Sequence, residues 1–549
     1  MSGNGRFVPL AGSARPARHD LRPSDAPLDR EAPHAVSVLL RPAREERLAE
    51  IVAERAALLP ADRRERLRPE LDLAPGEDAL AALETFAATA GLTLGAREGR
   101  LVRLEGRLED LAGAFRVEPR LHALGPDQVL SHDEPLELPA ALARHTLAVL
   151  GFDRRPLATP GATGAGEGTP AVDPRAVAAA YRFPTDCDGS GEGIGMILLG
   201  GGVHQEDLAA FFGLLGIPAP AIRLETIDPA TNDPATAAAL RAALEAMGLD
   251  EDPVHPAQAA PGVAGGGSVP WTIEATLDVE LSGALAPGAA LDVVFAPGDI
   301  QGKVHAFSRL LTRPRGPAVI SCSWGGFESA YRDQDVAAME SLFAEAAARD
   351  VTLCFASGDR GDGTSVFGGT GATPEVFYPG SSPGVVGCGG TTVDPADPGT
   401  EVSWEEALGT ARLASGGGLS SRFARPAWQG AELPAGEGRW LPDVAAKANL
   451  HGGYRIVAGG LRAAMGGTSA ASPLWGALLA RCNQALRRAG HGPVGYLTPH
   501  LYPAPAGATR DVTRGTNGSY SAAAGWDACT GWGSPDGESL LAFLLGGGG

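Results

Sequence analysis

Two regimes of hydrophobic patterning divide the chain. In the first, residues 36–41 (VSVLLR) alternate with the period of two of a half-buried strand, 42–58 and 77–90 repeat apolar side chains at helical spacing, and 100–105 alternate again. Residues 108–115, 128–131 and 139–147 continue as a helix, a strand and a closing helix. The resulting order fits a small α+β domain of the ferredoxin-like, split βαβ type over 36–155. Residues 1–35, rich in Pro, Arg, Asp and Ala without periodicity, are expected to be a mobile tail. Residues 156–172 include PLATPGATGAGEGTP, with almost no large apolar side chain, and are expected to be an exposed, cleavable linker.

From residue 173 to 549 the second regime holds. Continuous apolar stretches at 193–199, 291–296, 318–323, 351–356 and 385–388 read as strands, separated by helical patterns at 206–215, 272–285, 304–312 and 336–348. Such an order implies an α/β fold, a parallel sheet with helices on both faces, whose chemistry gathers beyond the carboxyl ends of the strands. Residues 226–270 look like an insertion, with an Ala-rich helix near 234–247 and no functional reading. In 463–478 (AAMGGTSAASPLWGAL) the paired glycines permit a tight turn, and the small apolar run after Ser469 reads as a buried helix. The Ser469 hydroxyl then meets the positive end of a helix dipole, as a nucleophile or as a cap.

Composition narrows the possibilities. The 549 residues suggest two or three domains, and no run of about eighteen apolar residues predicts a membrane span. The first twenty residues lack the continuous apolar segment of a standard secretory signal. Lys and Arg number 45 against 65 Asp and Glu, a net charge of −20 that argues against nucleic acid or acidic membranes as partners. Only Lys303 and Lys447 could serve a serine–lysine dyad. Cys187, Cys322, Cys354, Cys388, Cys482 and Cys529 show no metal-ligand spacing and read as isolated buried thiols rather than a disulfide framework.

Candidate chemistry lies in three further stretches. In 271–281 (WTIEATLDVEL), Glu274 and Asp278 fall four apart on one helix face among apolar neighbours that favour burial. Two carboxyls sharing a buried site raise each other's pKa, which suits one to take a proton from a hydroxyl while the other holds it in place. In 356–363 (ASGDRGDG), Asp359 stands at the carboxyl end of a strand, although it or Asp362 could be an ordinary turn residue. SWGG at 323–326 and SGGG at 415–418 offer bare backbone to an extended peptide. Of eleven histidines none lies in a motif with Ser469; His204 and His451 have glycines nearby but not the His-Gly-Thr context of a subtilisin base. A serine nucleophile without histidine needs another base, and a carboxylate serves if the working pH is low.

Taken together, GGTSAASP, EATLD and ASGDRGDG in a subtilisin-like order resemble the sedolisin family of serine-carboxyl peptidases, especially its kumamolisin-like group. The resemblance extends over VLGFDRRPLA, VDPRAVAAAYRFP, LGGGV, ELSGALAPGA, SCSWGG, YPGSSPGVVGCGGT and GWDACTGWGSP. It implies a subtilisin-like sheet behind a propeptide domain that inhibits the enzyme and aids folding. It also implies that Ser469 attacks the peptide carbonyl, Glu274 takes its proton, Asp278 supports Glu274, and a protonated Asp359 stabilises the oxyanion. The same resemblance implies one structural Ca²⁺, held by Asp511 and Asp527 side chains and the carbonyls of Val512, Ala523 and Gly525. Ala523 replaces a common glycine, and Leu198 stands where the family extends its catalytic hydrogen-bond chain with a glutamate, whereas Trp324 of that chain is kept. The expectation is a secreted, monomeric, acid-acting endopeptidase of proteins or peptides, made as a self-processing zymogen. A catalytically silent binding protein and a neutral-pH subtilisin are the alternatives.

Overall fold

The computed structural model describes residues 6–14, 22–62, 73–124, 127–157, 170–227, 232–246, 250–253, 268–367, 373–408, 411–502 and 507–546. An N-terminal sheet has four antiparallel strands in the spatial order Thr93–Glu98, Leu101–Arg107, Pro33–Leu40, Thr146–Leu150. Numbered along the chain these are strands two, three, one and four, the arrangement of a ferredoxin-like split βαβ unit. Helices Glu45–Ala57 and Glu77–Ala90 fill its first crossover and Leu108–Ala114 lies in the second. Period-two alternation orients the central strand. Val36, Val38 and Leu40 are buried with Leu83, Phe86 and Phe115, whereas Leu39 joins the apolar cluster of the C-terminal domain.

The sequence reading needs correction in this region. The helix expected at 139–147 is only the short Ala140–Ala143, and TLAVL then forms the edge strand Thr146–Leu150, where its alternation suits a sheet. Thr93–Glu98 and Arg120–Leu124 are strands with almost no buried side chains, so no hydrophobic pattern marks them. The expected mobile tail contains paired segments: Phe7–Pro9 lies on Glu137–Pro139, and Arg22–Pro23 on Arg120–Leu124. Leu10 and Ser13 are buried. Segments of two or three residues carry no readable period; backbone pairing places them.

The C-terminal sheet has eight strands. In spatial order Ile222–Thr226, Ala290–Ala296, Gly193–Leu199, Val319–Cys322, Thr352–Ala356 and Val386–Asp394 are parallel, and the last pairs with parallel Val444–Lys447 and antiparallel Asp397–Ser403. Both faces are covered, which is why the strands from Ala290–Ala296 to Val386–Asp394 in this order read as apolar runs, whereas Ile222–Thr226 and Asp397–Ser403 are polar and partly exposed. Ile194, Met196 and Leu198 share a core with helices Val269–Leu285 and Thr468–Arg488. Ile197 and Leu199 face helices Ile300–Leu311 and Asp333–Ala348. The insertion contributes helix Ala237–Ala246 and strand Asp250–Pro253, which adds to the hairpin strand Leu461–Met465; residues 228–231, 247–249 and 254–267 of it lie outside the described residues.

The N-terminal sheet docks on helices Ile300–Leu311 and Asp333–Ala348. Gln334 imitates a strand peptide, its Nε2 donating to Val149 O (3.1 Å) and its Oε1 accepting from Val149 N (3.3 Å). Around it Arg55 pairs with Asp350 (2.7 Å), Arg100 with Glu345 (3.4 Å) and Arg154 with Asp299 (2.8 Å). Residues 158–169 of the expected linker lie outside the described residues. Leu157, expected in an exposed stretch, is buried among Trp324, Tyr331 and Tyr378, a leucine's ordinary preference once an apolar pocket is in reach.

Candidate active site

Helix Thr468–Arg488 packs against helix Val269–Leu285 and across strands Val319–Cys322 and Thr352–Ala356. Its start depends on Gly467, whose φ of 100° lies where side chains are strained. This turn puts Ser469 in the first helical turn, 1% exposed, and its Oγ makes no hydrogen bond among the described residues. The side chain is therefore not a cap.

Helix Val269–Leu285 is apolar nearly all round, and burial follows: Glu274 is 0% and Asp278 2% exposed. The four-residue spacing stacks the two carboxyls on one face. Asp278 Oδ1 accepts from Ser323 Oγ at 2.8 Å. Ser323 Oγ lies also 3.1 Å from the carbonyl of Ser469 and 3.2 Å from Ser472 Oγ, so one hydroxyl links the two helices at the carboxyl end of strand Val319–Cys322. Burial, reinforced by the neighbouring Glu274 charge, holds the Asp278 carboxyl well above the usual carboxylate range; the Ser323 bond opposes this in part.

Asp359 follows strand Thr352–Ala356 and is buried. Thr468 donates to its Oδ1 twice, from N at 2.8 Å and from Oγ1 at 2.6 Å. Oδ2 is buried and has no hydrogen-bond partner among the described residues. Burial pushes the carboxyl up to about 6, against the pull of the Thr468 bonds. Asp362 instead closes a turn, its Oδ1 accepting from Thr364 N (3.0 Å) and Oγ1 (2.8 Å). The Asp359 carboxyl thus touches the residue before Ser469, while Asp278 reaches Ser469 through Ser323. The bonds made by Ser323 and Thr468 are not legible in the sequence, although each residue lies inside a motif that is, SWGG and GGTSAASP.

Leu198 is fully buried on the core face shared with Ile273, Leu277 and Ala470. Trp324 stacks obliquely on Trp271, ring centroids 4.8 Å apart, and its buried Nε1 has no hydrogen-bond partner among the described residues. The two histidines weighed from sequence lie elsewhere: His204 contacts Ala235 O and His451 contacts Glu406. All six cysteines are buried and free.

The five residues considered for calcium also converge. Asp511 Oδ2 accepts from Gly525 N (2.9 Å), Asp527 Oδ2 from Ala523 N (3.0 Å), and Thr530 Oγ1 lies 3.5 Å from Val512 O and 3.2 Å from Asp527 Oδ1. Two carboxylates beside backbone carbonyls are a hard-oxygen set that suits Ca²⁺. Among the described residues no group of three or more His, Cys, Asp or Glu is arranged to hold a metal ion by itself.

Comparison with known proteins identifies the family. Residues 262–533 match the subtilase family (peptidase S8). Kumamolisin from Bacillus sp. (strain MN-32) is 36% identical over 546 residues, covering 93% of this chain and 91% of that protein. Human tripeptidyl-peptidase 1 is 32% identical over 306 residues, 50% of this chain and 52% of that one. Among solved structures, Pseudomonas sedolisin, a serine-carboxyl proteinase complexed with two molecules of pseudo-iodotyrostatin, covers 70% of this chain and 100% of its own at a TM-score of 0.55 and 27% identity. With similarity to kumamolisin running through nearly the whole of both proteins, the chain belongs to the sedolisin family of serine-carboxyl peptidases, in its kumamolisin-like group.

Proposed function

We propose that this peptidase is an acid-acting endopeptidase made as a self-processing zymogen. The observation that carries the reading is a dry pair of carboxyls, Glu274 and Asp278, on a helix tied through Ser323 to the backbone of Ser469. Ser469 Oγ attacks the carbonyl carbon of the scissile peptide as its proton passes to the Glu274 carboxylate, and Asp278, kept protonated in acid by burial and anchored by Ser323, supports Glu274 from one helical turn away. The carbonyl oxygen becomes an oxyanion, to which a protonated Asp359 Oδ2 donates; Oδ1 is already engaged by Thr468, so the second oxygen is available. Collapse of the intermediate breaks the C–N bond, the Glu274 proton leaves with the amine, and water hydrolyses the acyl-enzyme by the same route in reverse.

The pH dependence follows from Asp359. Its carboxyl, raised to about 6, carries the donor proton below that value and loses it as pH rises through it. Hydrolysis of an unfolded protein substrate is therefore expected to fall about tenfold per pH unit above pH 6. A rate flat to pH 8 would sink the assignment.

The N-terminal domain would act as an intramolecular inhibitor, removed by cleavage within 156–172. Support comes from Leu157, whose carbonyl accepts from the Tyr331 hydroxyl (3.1 Å) and sits where a side chain on Gly326 of SWGG would collide. Protein or peptide substrates, a monomeric state and an extracellular site of action complete the proposal. Among the described residues no helix is long and apolar enough to cross a membrane.

One structural Ca²⁺ would be held by Asp511 and Asp527 carboxylates with the carbonyls of Val512, Ala523 and Gly525, cross-linking two loops and taking no part in the reaction. Chelation is expected to lower the Tm of the protein by on the order of 5 °C, reversibly with Ca²⁺ and not with Mg²⁺. An unchanged Tm would remove the ion from the account.

A further inference from the structure

Where the N-terminal domain meets the C-terminal one, Arg332 is swallowed. This residue, the N-cap of helix Asp333–Ala348, is 1% exposed, and its guanidinium reaches into a pocket built by the N-terminal domain. Nη1 donates to Ser13 O (3.2 Å), Nη2 to His132 O (2.8 Å) and Ser131 Oγ (3.2 Å), and Asp153 Oδ2 lies 3.3 Å away. Nη1 also meets His132 Nε2. The other ring nitrogen of His132, Nδ1, lies 2.8 Å from Glu134 O. A carbonyl only accepts, so Nδ1 carries the hydrogen and Nε2 is the bare lone pair that receives the arginine. The contact exists only for a neutral imidazole.

We propose that His132 and Arg332 form an acid-sensitive latch: neutral His132 holds the N-terminal domain in place, and a proton on Nε2 sets two buried cations face to face and releases it. The proposal deepens the zymogen reading and rests on it. Every charged group around the ring bears on the outcome. Asp153 is paired with both Arg155 and Arg332, which hold its carboxyl down to about 2, so it stays ionised through the acid range. Asp335, which accepts from Arg332 N (3.1 Å), is pushed by burial up to about 6 and is neutral by pH 5. The buried set Arg332, Arg155 and Asp153 then carries one net positive charge before His132 titrates, at a helix N-terminus that adds positive potential. Asp133 and Glu134, beside the ring in sequence, are exposed to solvent, which screens their charges. Burial first, then the Arg332 charge, lowers the imidazole from 6.5 to about 4.

The sign follows directly. A group whose docked pKa lies below its free value binds fewer protons when docked, so docking is at full strength above about pH 6.5 and weakens as pH falls toward 4. The latch alone makes docking about 20-fold weaker at pH 5 than at pH 7. Asp335 works the other way only as far as undocking lowers its own pKa.

Hydrogen exchange on the full-length Ser469→Ala chain tests this without any need for cleavage, following the edge strand Thr146–Leu150 and helix Asp333–Ala348 from pH 3 to 7. Protection at this interface is expected to collapse between pH 4 and 5. Adding His132→Gln, whose amide oxygen accepts from Arg332 but does not titrate, is expected to move the collapse at least one unit lower. The same midpoint in both chains overturns the latch. Should the double variant not fold, the imidazole signal of His132 in the Ser469→Ala chain decides: protonation together with loss of protection supports the latch, and titration near 6.5 with the domains still docked overturns it. If the domains separate in acid yet the unsubstituted chain is never cut, the zymogen reading fails and the latch stands.

Discussion

Full-length protein carrying Ser469→Ala is expected to keep its mass when brought to about pH 4, near unperturbed carboxyl values, while the unsubstituted chain loses its N-terminal domain. Hydrolysis of added protein should fall by a factor on the order of 10⁶, because removal of a serine nucleophile leaves only the binding and oxyanion contributions. Loss of fold is a poor explanation for such a result. The Ser469 hydroxyl is buried and makes no hydrogen bond among the described residues, so alanine deletes a desolvated polar atom and leaves no partner unmet. The variant should unfold at the same temperature as the parent or slightly higher. Processing that proceeds in Ser469→Ala would assign the cleavage to another protease or another residue.

Glu274→Gln is the second large effect. Glutamine matches glutamate in size and is accommodated on the same helix face, but it cannot accept the Ser469 proton. General-base catalysis of this kind contributes up to about 10⁴-fold, and a loss of at least about 10³ is expected. Asp278 is held high partly by the charge of Glu274. Neutralising that neighbour relieves the repulsion and lowers the Asp278 pKa, so folding should not suffer. A carboxylate left at Asp278 does not rescue the reaction, since its Oδ1 faces Ser323 rather than the Ser469 hydroxyl.

Much of the site is legible in the sequence because its elements are local. Gly467 and the small residues after Ser469 announce a turn into a buried helix, and the spacing of Glu274 and Asp278 in an apolar stretch puts both carboxyls on one face whatever the fold around them. Five of the eight strands of the C-terminal sheet are equally readable, since burial on both faces makes them continuous apolar runs, whereas Ile222–Thr226 and Asp397–Ser403 carry exposed polar side chains and Val444–Lys447 is only four residues long. Features that depend on long-range placement are not. Ser323 lies 146 residues from Ser469, and nothing in SWGG says that its hydroxyl will bridge two helices. The exposed strand Thr93–Glu98 and the two-residue Arg22–Pro23 pair through their backbones, which leaves no trace in side-chain pattern. Arg332 and His132 look like ordinary surface residues until the docked domain buries them together. Leu198 is a departure the sequence reveals, and the structure shows that the position belongs to the core.

The central claim is that a carboxyl group, not an imidazole, takes the proton of the attacking serine. Its most direct test is kcat/KM for processed enzyme and for Glu274→Gln, each matured by the same added protease and measured on one peptide from pH 3 to 8. The account predicts a parent profile that declines above about pH 6, and a variant at least about 10³-fold slower at every pH. A variant within tenfold of the parent, with both rates climbing through pH 6.5 and past neutrality, would contradict it.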